Sequence, residues 1–202
     1  MKKIILITLL LSICFSQRNL FKSHPYATLG TNQDLTASAS SGDIDGDGDL
    51  DIIVANGRHW SQQNQIFYND GKGFFRRSRT LGSEQNTTYQ VPLADIDNDG
   101  DLDIIVGNDR IENQVFKNDG NGNFTFDHYF GMKESNTRGL CIADLNQDGF
   151  VDIVVANRKS QNYIYFNNSK GYFSKGKPFG NRDEATINIA SADLNQDGHI
   201  DL

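Results

Sequence analysis

Helical segments, membrane spans and a basic surface are all missing from most of this sequence. No helical period of apolar residues appears after residue 17. The only long apolar run, residues 4–15, is too short to cross a membrane. Lys and Arg number 19 against 26 Asp and Glu, for a formal net charge of −7, and they form no basic stripe. We therefore expect no transmembrane span and no nucleic-acid partner.

The N-terminus has the order of charges and apolar residues that is typical of a secretory signal peptide. Lys2 and Lys3 precede the apolar run, and small or polar residues follow it at 16–17. We predict a signal peptide over residues 1–16 and a secreted, extracellular or cell-surface location. Two alternatives stay open: a buried N-terminal strand, and lipidation at Cys14.

Cysteine is nearly absent, with only two in the chain. Cleavage after Ser16 removes Cys14 and leaves Cys141, so the mature chain has no internal disulfide. Cys141 lies in the apolar run 140–143, which favours a buried, inert thiol over a reactive one.

A nine-residue acidic loop with the pattern D-x-[DN]-x-D-G-x-x-D occurs four times. We number these loops 1 to 4; they cover residues 43–51, 95–103, 144–152 and 193–201. Their spacing is 49–52 residues. Self-similarity at such a period is the signature of a repeat architecture.

Other landmarks keep the same register, and all of them predict β-structure. A glycine lies 13 residues before each loop, at Gly30, Gly82, Gly131 and Gly180. After each of the first three loops come a β-branched run, an aromatic segment and an Asn-rich turn, which is Asn-Asp-Gly in the first two repeats and is typical of a hairpin. Each repeat therefore supplies about four short strands, which is the content of one β-propeller blade.

We predict an all-β chain built of β-propeller blades, with three complete repeats and a truncated fourth, as part of a larger propeller. The predicted units are repeat 1 at 30–81, repeat 2 at 82–130, repeat 3 at 131–179 and truncated repeat 4 at 180–202. Residues 17–29 resemble the end of a repeat and are predicted to form an N-terminal strand that completes the last blade.

The repeats resemble FG-GAP and FG-GAP-like (VCBS-type) repeats, which form the propellers of integrin α-subunits and occur in many secreted bacterial proteins. Phe130-Gly131 and Phe179-Gly180 match the FG element, and Leu81-Gly82 and Leu29-Gly30 approximate it. Asparagine replaces the proline of the integrin Ala-Pro element at Asn56, Asn108 and Asn157. The resemblance covers nearly all of residues 18–202. It implies a propeller scaffold with calcium loops and says little about a partner.

The acidic loops have the oxygen ligands that a hard cation such as calcium requires. Positions 1, 3, 5 and 9 carry side-chain oxygens, whereas position 7 varies and is expected to act through its backbone carbonyl. We predict one Ca²⁺ in each loop, up to four. The candidate ligands are Asp43, Asp45, Asp47, Asp49 and Asp51; Asp95, Asp97, Asp99, Asp101 and Asp103; Asp144, Asn146, Asp148, Phe150 and Asp152; and Asp193, Asn195, Asp197, His199 and Asp201.

Other identities for these loops are less favoured. Position 12 is valine, as at Val54, rather than the Glu of an EF-hand. The alternatives are a metal-free Asx-rich turn, a magnesium site, and a transition-metal site at His199.

No catalytic or cofactor-binding residue emerges from the sequence, so the leading hypothesis is non-enzymatic. It is a calcium-stabilised scaffold that binds an extracellular protein or carbohydrate, as in adhesion. Trp60, in the one insertion at 57–63, could stack on a sugar or a partner protein. The first alternative is part of a secreted, calcium-dependent polysaccharide lyase, which needs a basic or metal-assisted groove shared by several blades and whose catalytic residues are expected in blades outside this sequence. We expect no such cluster of Lys, Arg or His here. The second alternative is a purely structural spacer.

Overall fold

A computed structural model of the chain describes residues 29–30, 33–173 and 175–202. The predicted signal peptide and all but Leu29 of the predicted N-terminal strand at 17–29 lie outside these residues, so both stay predictions. The described part contains 13 strands and no helix. Within it, no helix is long and apolar enough to cross a membrane.

The strands form three antiparallel sheets that follow one another along the chain. Sheet 1 contains β1 (Thr36–Gly42), β2 (Asp51–Asn56), β3 (Gln65–Tyr68) and β4 (Arg77–Thr80). Sheet 2 contains β5 (Thr88–Gln90), β6 (Leu93–Ala94), β7 (Asp103–Asn108), β8 (Asn113–Asn118) and β9 (Phe124–Phe130). Sheet 3 contains β10 (Thr137–Ala143), β11 (Asp152–Asn157), β12 (Asn162–Tyr165) and β13 (Gly176–Phe179).

These sheets are blades of a β-propeller, which confirms the predicted fold class. Each sheet falls inside one predicted repeat, while the repeat boundaries themselves stay predictions. Sheet 2 has five strands because its first strand is divided at Pro92, which has no amide hydrogen for the ladder. In the fourth repeat, the acidic loop is closed by an antiparallel bridge between Ala192 and Asp201.

The apolar cores lie between neighbouring blades, on both faces of the second strand. In β7, Ile104 and Val106 belong to a cluster shared with blade 1, whereas Ile105 belongs to a cluster shared with blade 3. All three side chains are fully buried. A strand buried on both faces has no polar alternation, which explains the continuous apolar run that follows each acidic loop.

Buried polar side chains also join one blade to the next. Asn64 of blade 1 donates to Thr88 of blade 2 at 3.0 Å, and the Thr88 hydroxyl donates in turn to Asn108 at 3.0 Å. Asn162 donates to Thr186 in the same way at 2.9 Å. The asparagines that replace the integrin proline therefore belong to a polar chain inside the scaffold.

Three asparagines at equivalent hairpin positions, Asn69, Asn118 and Asn167, are here called the hairpin asparagines. The side-chain amide of Asn167 donates to the carbonyl of Val151 in its own blade at 3.1 Å, and to the carbonyl of Ile96 in blade 2 at 2.7 Å. Asn118 makes the matching pair of bonds to Leu102 and Ile44. The hairpins of blades 2 and 3 are therefore each hydrogen-bonded to the acidic loop of the blade before them.

Replacing Asn167 by Ala should destabilise the protein by about 1–3 kcal/mol, because a buried and a partly buried carbonyl group lose their donor. The matched control is Asn69→Ala in blade 1, where the described residues include no earlier loop and the amide donates only to Leu50 at 3.2 Å. Urea unfolding at fixed calcium concentration measures both losses. An Asn69→Ala loss as large as that of Asn167→Ala would contradict the role of the bond between blades.

Candidate metal centres in the acidic loops

Each acidic loop is closed on itself by bonds from its backbone to its own carboxylates. In loop 3, Asp144 accepts hydrogen bonds from the amides of Asp148 at 3.1 Å and Gly149 at 2.9 Å. Asp148 accepts from the amide of Phe150 at 2.9 Å. Loops 2 and 4 repeat these bonds, and loop 1 differs only in one donor. The carboxylates at positions 1 and 5 are thereby held in fixed orientations.

The glycine at position 6 is required by the backbone of the loop. Its φ angle lies between 86° and 99° in the four loops, which is the left-handed region. A Cβ atom added there would meet no other atom within 4 Å, so the restriction is conformational and not a matter of space.

The aspartate at position 9 joins the loop to the hairpin of the same blade. Asp152 is fully buried and accepts hydrogen bonds from the amides of Leu145 at 3.1 Å and Asn167 at 2.9 Å. Asp51 and Asp103 are buried and bound in the same way. Burial is the largest influence on these carboxyl groups and raises the pKa of all three above the ordinary 3.8.

Loops 1 and 2 each bring three carboxylates close enough to share one ion. Ligand atoms of Asp43, Asp45 and Asp51 lie within 4.8 Å of one another in loop 1. In loop 2, the same holds for Asp95, Asp97 and Asp99. In loops 3 and 4 position 3 is asparagine and position 7 is Phe150 or His199, so these loops carry three carboxylates instead of five.

The position-3 carboxylates of loops 1 and 2 each contain an oxygen that the described part of the chain leaves unpaired. Oδ1 of Asp45 and Oδ1 of Asp97 are buried and accept no hydrogen bond. In loop 3, by contrast, Asn146 Oδ1 accepts a bond from the amide of Asp148 at 3.0 Å. A buried acceptor without a donor is costly, and a metal ion would satisfy it.

Basic side chains approach the same two loops. Lys117 Nζ lies 2.7 Å from Asp97 and 3.1 Å from Asp103, so one ammonium group bridges positions 3 and 9 of loop 2. Arg77 lies 2.8 Å from Asp45 in loop 1. These cations offset part of the repulsion among the carboxylates.

The model of the FG-GAP-like repeat matches the sequence three times, over residues 43–106, 95–155 and 144–202. The chain belongs to the FG-GAP-like repeat family. No curated protein matches it in a sequence comparison. Each match begins at the first Asp of an acidic loop, so the acidic loops and the strands after them carry the family pattern in this FG-GAP-like chain.

The FG-GAP-like blades also bring together basic residues that the sequence analysis expected to be scattered, and that expectation was wrong. Arg58, Arg110, Arg138 and Arg158 line one cavity together with His59. The sequence does contain an indication of this basic cluster. Arg58 and Arg110 each lie two residues after the asparagine that ends the second strand, and Lys159 occupies the matching position in repeat 3. Arg138 comes from another strand, and no local pattern points to it.

Two further predictions concern the exposure of Trp60 and the burial of Cys141. Trp60 is 73% exposed, as a stacking role would need. Cys141 is half-buried rather than buried, with Sγ 3.1 Å from the hydroxyl oxygen of Ser191.

The titration of the loop carboxyls should separate the buried from the exposed positions. In metal-free protein, Asp152 should titrate above 3.8 because of burial, and Asp197 below 3.8 because the amide of His199 bonds its carboxylate. Carboxyl ¹³C shifts followed by NMR measure both midpoints. A raised pKa means that the Asp152 carboxyl favours folding below its ordinary pKa, and that this contribution is lost as the pH rises through the raised value. Equal midpoints for the two groups would contradict the buried position of Asp152.

Proposed function

We propose that this FG-GAP-like chain is a secreted, calcium-binding β-propeller segment that serves as a scaffold for an extracellular protein or carbohydrate. The observation that carries the proposal is the pair of three-carboxylate clusters in loops 1 and 2, each with an unpaired buried oxygen. The family supports a scaffold, since the repeats recur as structural and binding modules.

The clusters favour a divalent cation on electrostatic grounds. Two like charges 4 Å apart repel by about 4 kcal/mol at an effective dielectric constant of 20. An ion of charge +2 replaces that repulsion with coordination. Lys117 and Arg77 supply a single positive charge each and leave the Oδ1 atoms of Asp97 and Asp45 without partners.

The chemistry of the ligands favours calcium over magnesium. Calcium takes six to eight oxygen ligands in flexible geometry, and one loop offers several carboxylates and a carbonyl at position 7. Magnesium requires near-ideal octahedral geometry and retains several waters. The four loops are therefore proposed to bind one Ca²⁺ each, through the residues named from the sequence.

Calcium in the loops would stabilise the contacts between blades. Position 2 of loop 1 is Ile44, whose carbonyl accepts from Asn118 of blade 2 at 2.8 Å. A rigid loop keeps that carbonyl in place, so metal binding strengthens the joint. Sites of the weak extracellular class, with dissociation constants of about 10⁻⁴–10⁻³ M, would be filled outside the cell, in keeping with the predicted signal peptide.

Calcium should raise the melting temperature, and chelator should lower it. Asp95→Ala should remove binding at loop 2 and increase hydrogen exchange near residues 90–110, because the effect of one loop stays with its own and neighbouring blades. Phe150→Ala is the control: it keeps the backbone carbonyl at position 7, so calcium affinity should be nearly unchanged. Calorimetry and melting curves measure these effects. A melting temperature that chelator does not change, together with no heat of calcium binding, would contradict the proposal.

The Lys117 ammonium group should compete with a calcium ion for the carboxylates of loop 2. Lys117→Met should tighten calcium binding by about tenfold, which corresponds to about 1.4 kcal/mol, because a neighbouring positive charge is removed. In chelator the same variant should be less stable, since Asp97 and Asp103 lose their charged partner.

The gap in melting temperature between calcium and chelator should therefore widen in Lys117→Met. Lys72→Met, on the exposed hairpin of blade 1, is the matched control and should leave that gap unchanged. A gap that narrows in Lys117→Met would contradict competition at loop 2.

The lyase alternative has one observation in its favour. It required a basic groove shared by several blades, and the cavity lined by four arginines is such a groove. Recognition of an acidic sugar is a property that a lyase would share with a non-catalytic scaffold.

A further inference from the structure

The cavity lined by arginines carries a charge opposite to that of the chain. Its lining contains four arginines (Arg58, Arg110, Arg138 and Arg158) and one carboxylate, Asp109. With His59 neutral, the lining has a formal charge of +3, whereas the whole chain has −7. The arginines are therefore concentrated at one place and not spread among acidic neighbours.

Backbone hydrogen bonds hold the main chain in place at three of the arginines. Each follows the second strand of its blade by one or two residues, and its amide bonds to a carbonyl at the start of a neighbouring first strand. The bonds run from Arg58 to Leu35 at 3.1 Å, from Arg110 to Ser135 at 2.7 Å and from Arg158 to Asn136 at 2.9 Å. Only the bond from Arg110 joins one repeat to the next, so the place of Arg110 in the cluster depends on how blades 2 and 3 pack. All three arginines are exposed.

Arg138 and Tyr89 hold the centre of the cluster together. The Arg138 guanidinium pairs with Asp109 at 2.9 Å and lies 4.0 Å from the centre of the Tyr89 ring. The Tyr89 hydroxyl donates to the carbonyl of Arg58 at 2.7 Å. Asp109 is mainly engaged by Arg138, since Arg110 lies 3.9 Å away with a side chain that is 82% exposed. The charges of Arg58, Arg110 and Arg158 are thus available to a ligand.

The acidic loops are too far away to cancel this charge. They precede the second strand of each blade, and the arginines follow it. A strand of six residues spans about 20 Å. At physiological salt the screening length is about 8 Å, so an anion at the arginine cluster feels mainly the local positive charge.

The shape of the site suits one anionic group of a larger ligand. The cavity has a volume of about 190 Å³, below the range of about 300–1,000 Å³ for pockets that hold a whole small molecule. Guanidinium groups bind carboxylate and sulfate through paired hydrogen bonds. Trp60 follows the lining residue His59 in the chain, and its exposed ring offers an apolar face for a sugar.

We infer that this cavity binds the carboxylate or sulfate group of an acidic carbohydrate, with Trp60 stacking on an adjoining sugar ring. The inference rests on the proposed scaffold function, because it names the ligand class that the blades present. It does not use the acidic loops, which lie at the opposite ends of the strands.

The test is a calorimetric titration of the full chain at saturating calcium. The probes are an oligogalacturonate, a sulfated oligosaccharide, a neutral oligosaccharide of equal length, oligoglutamate and inorganic sulfate. Both acidic oligosaccharides should bind, more weakly as salt rises, and the neutral one should not. Each of Arg58→Gln, Arg110→Gln and Arg158→Gln should weaken binding about tenfold, the effect of losing one charge-assisted hydrogen bond.

Two controls separate the site from general charge. Arg76→Gln removes the same charge from an exposed position on the outer side of blade 1 and should leave affinity unchanged. Trp60→Ala should weaken the acidic oligosaccharides but not inorganic sulfate. All these side chains are exposed, so melting curves of the variants should match that of the parent chain.

Three results would overturn the inference: equal affinity in the triple arginine variant, equal binding of the neutral oligosaccharide, or binding of oligoglutamate as tight as that of the sugars with no effect of Trp60→Ala. Calcium binding without sugar binding would reject this inference alone. Sugar binding without any heat of calcium binding would instead reject the calcium sites.

Discussion

The buried aspartate at position 9 is the interaction on which the loop end of every complete blade depends. Its carboxylate receives one backbone amide from the acidic loop and one from the hairpin asparagine. It therefore joins two turns that are far apart in sequence, and it does so at the first residue of the buried second strand. Without it only the bond from the hairpin asparagine to the position-8 carbonyl would join loop and hairpin, and the side-chain bond from that hairpin to the preceding blade would be less well placed.

Much of the fold could be predicted because the same pattern of residues occurs several times in the sequence. The acidic loops mark the start of each second strand, and the apolar runs behind them mark the buried strands between cores. The candidate ligands of the loops could be named for the same reason, since a nine-residue motif is local. The sequence did not show that the position-9 aspartate also links the loop to the hairpin. Its partner Asn167 is separated from Asp152 by two strands.

What the sequence did not reveal depends on packing between blades. Arg138 and Tyr89 meet only when blades 2 and 3 are neighbours, and Arg158 is displaced by one residue from the repeat position of Arg58 and Arg110. The division of the first strand of blade 2 into β5 and β6, which both pair with β7, was not predicted either. Periodic patterns predict elements well, whereas contacts among dissimilar side chains follow from the arrangement of those elements.

The bonds from Asn118 and Asn167 to the preceding loops give the stack of blades a direction. The surface that one blade presents to its successor differs from the surface that receives its predecessor, so the contact is heterologous, as between subunits of a cyclic oligomer. A heterologous contact repeated with a constant rotation closes into a ring when the rotation divides a full turn, and otherwise winds into an open spiral. The angle set by two hydrogen bonds of one asparagine side chain therefore helps to decide how many blades a complete ring of this type contains.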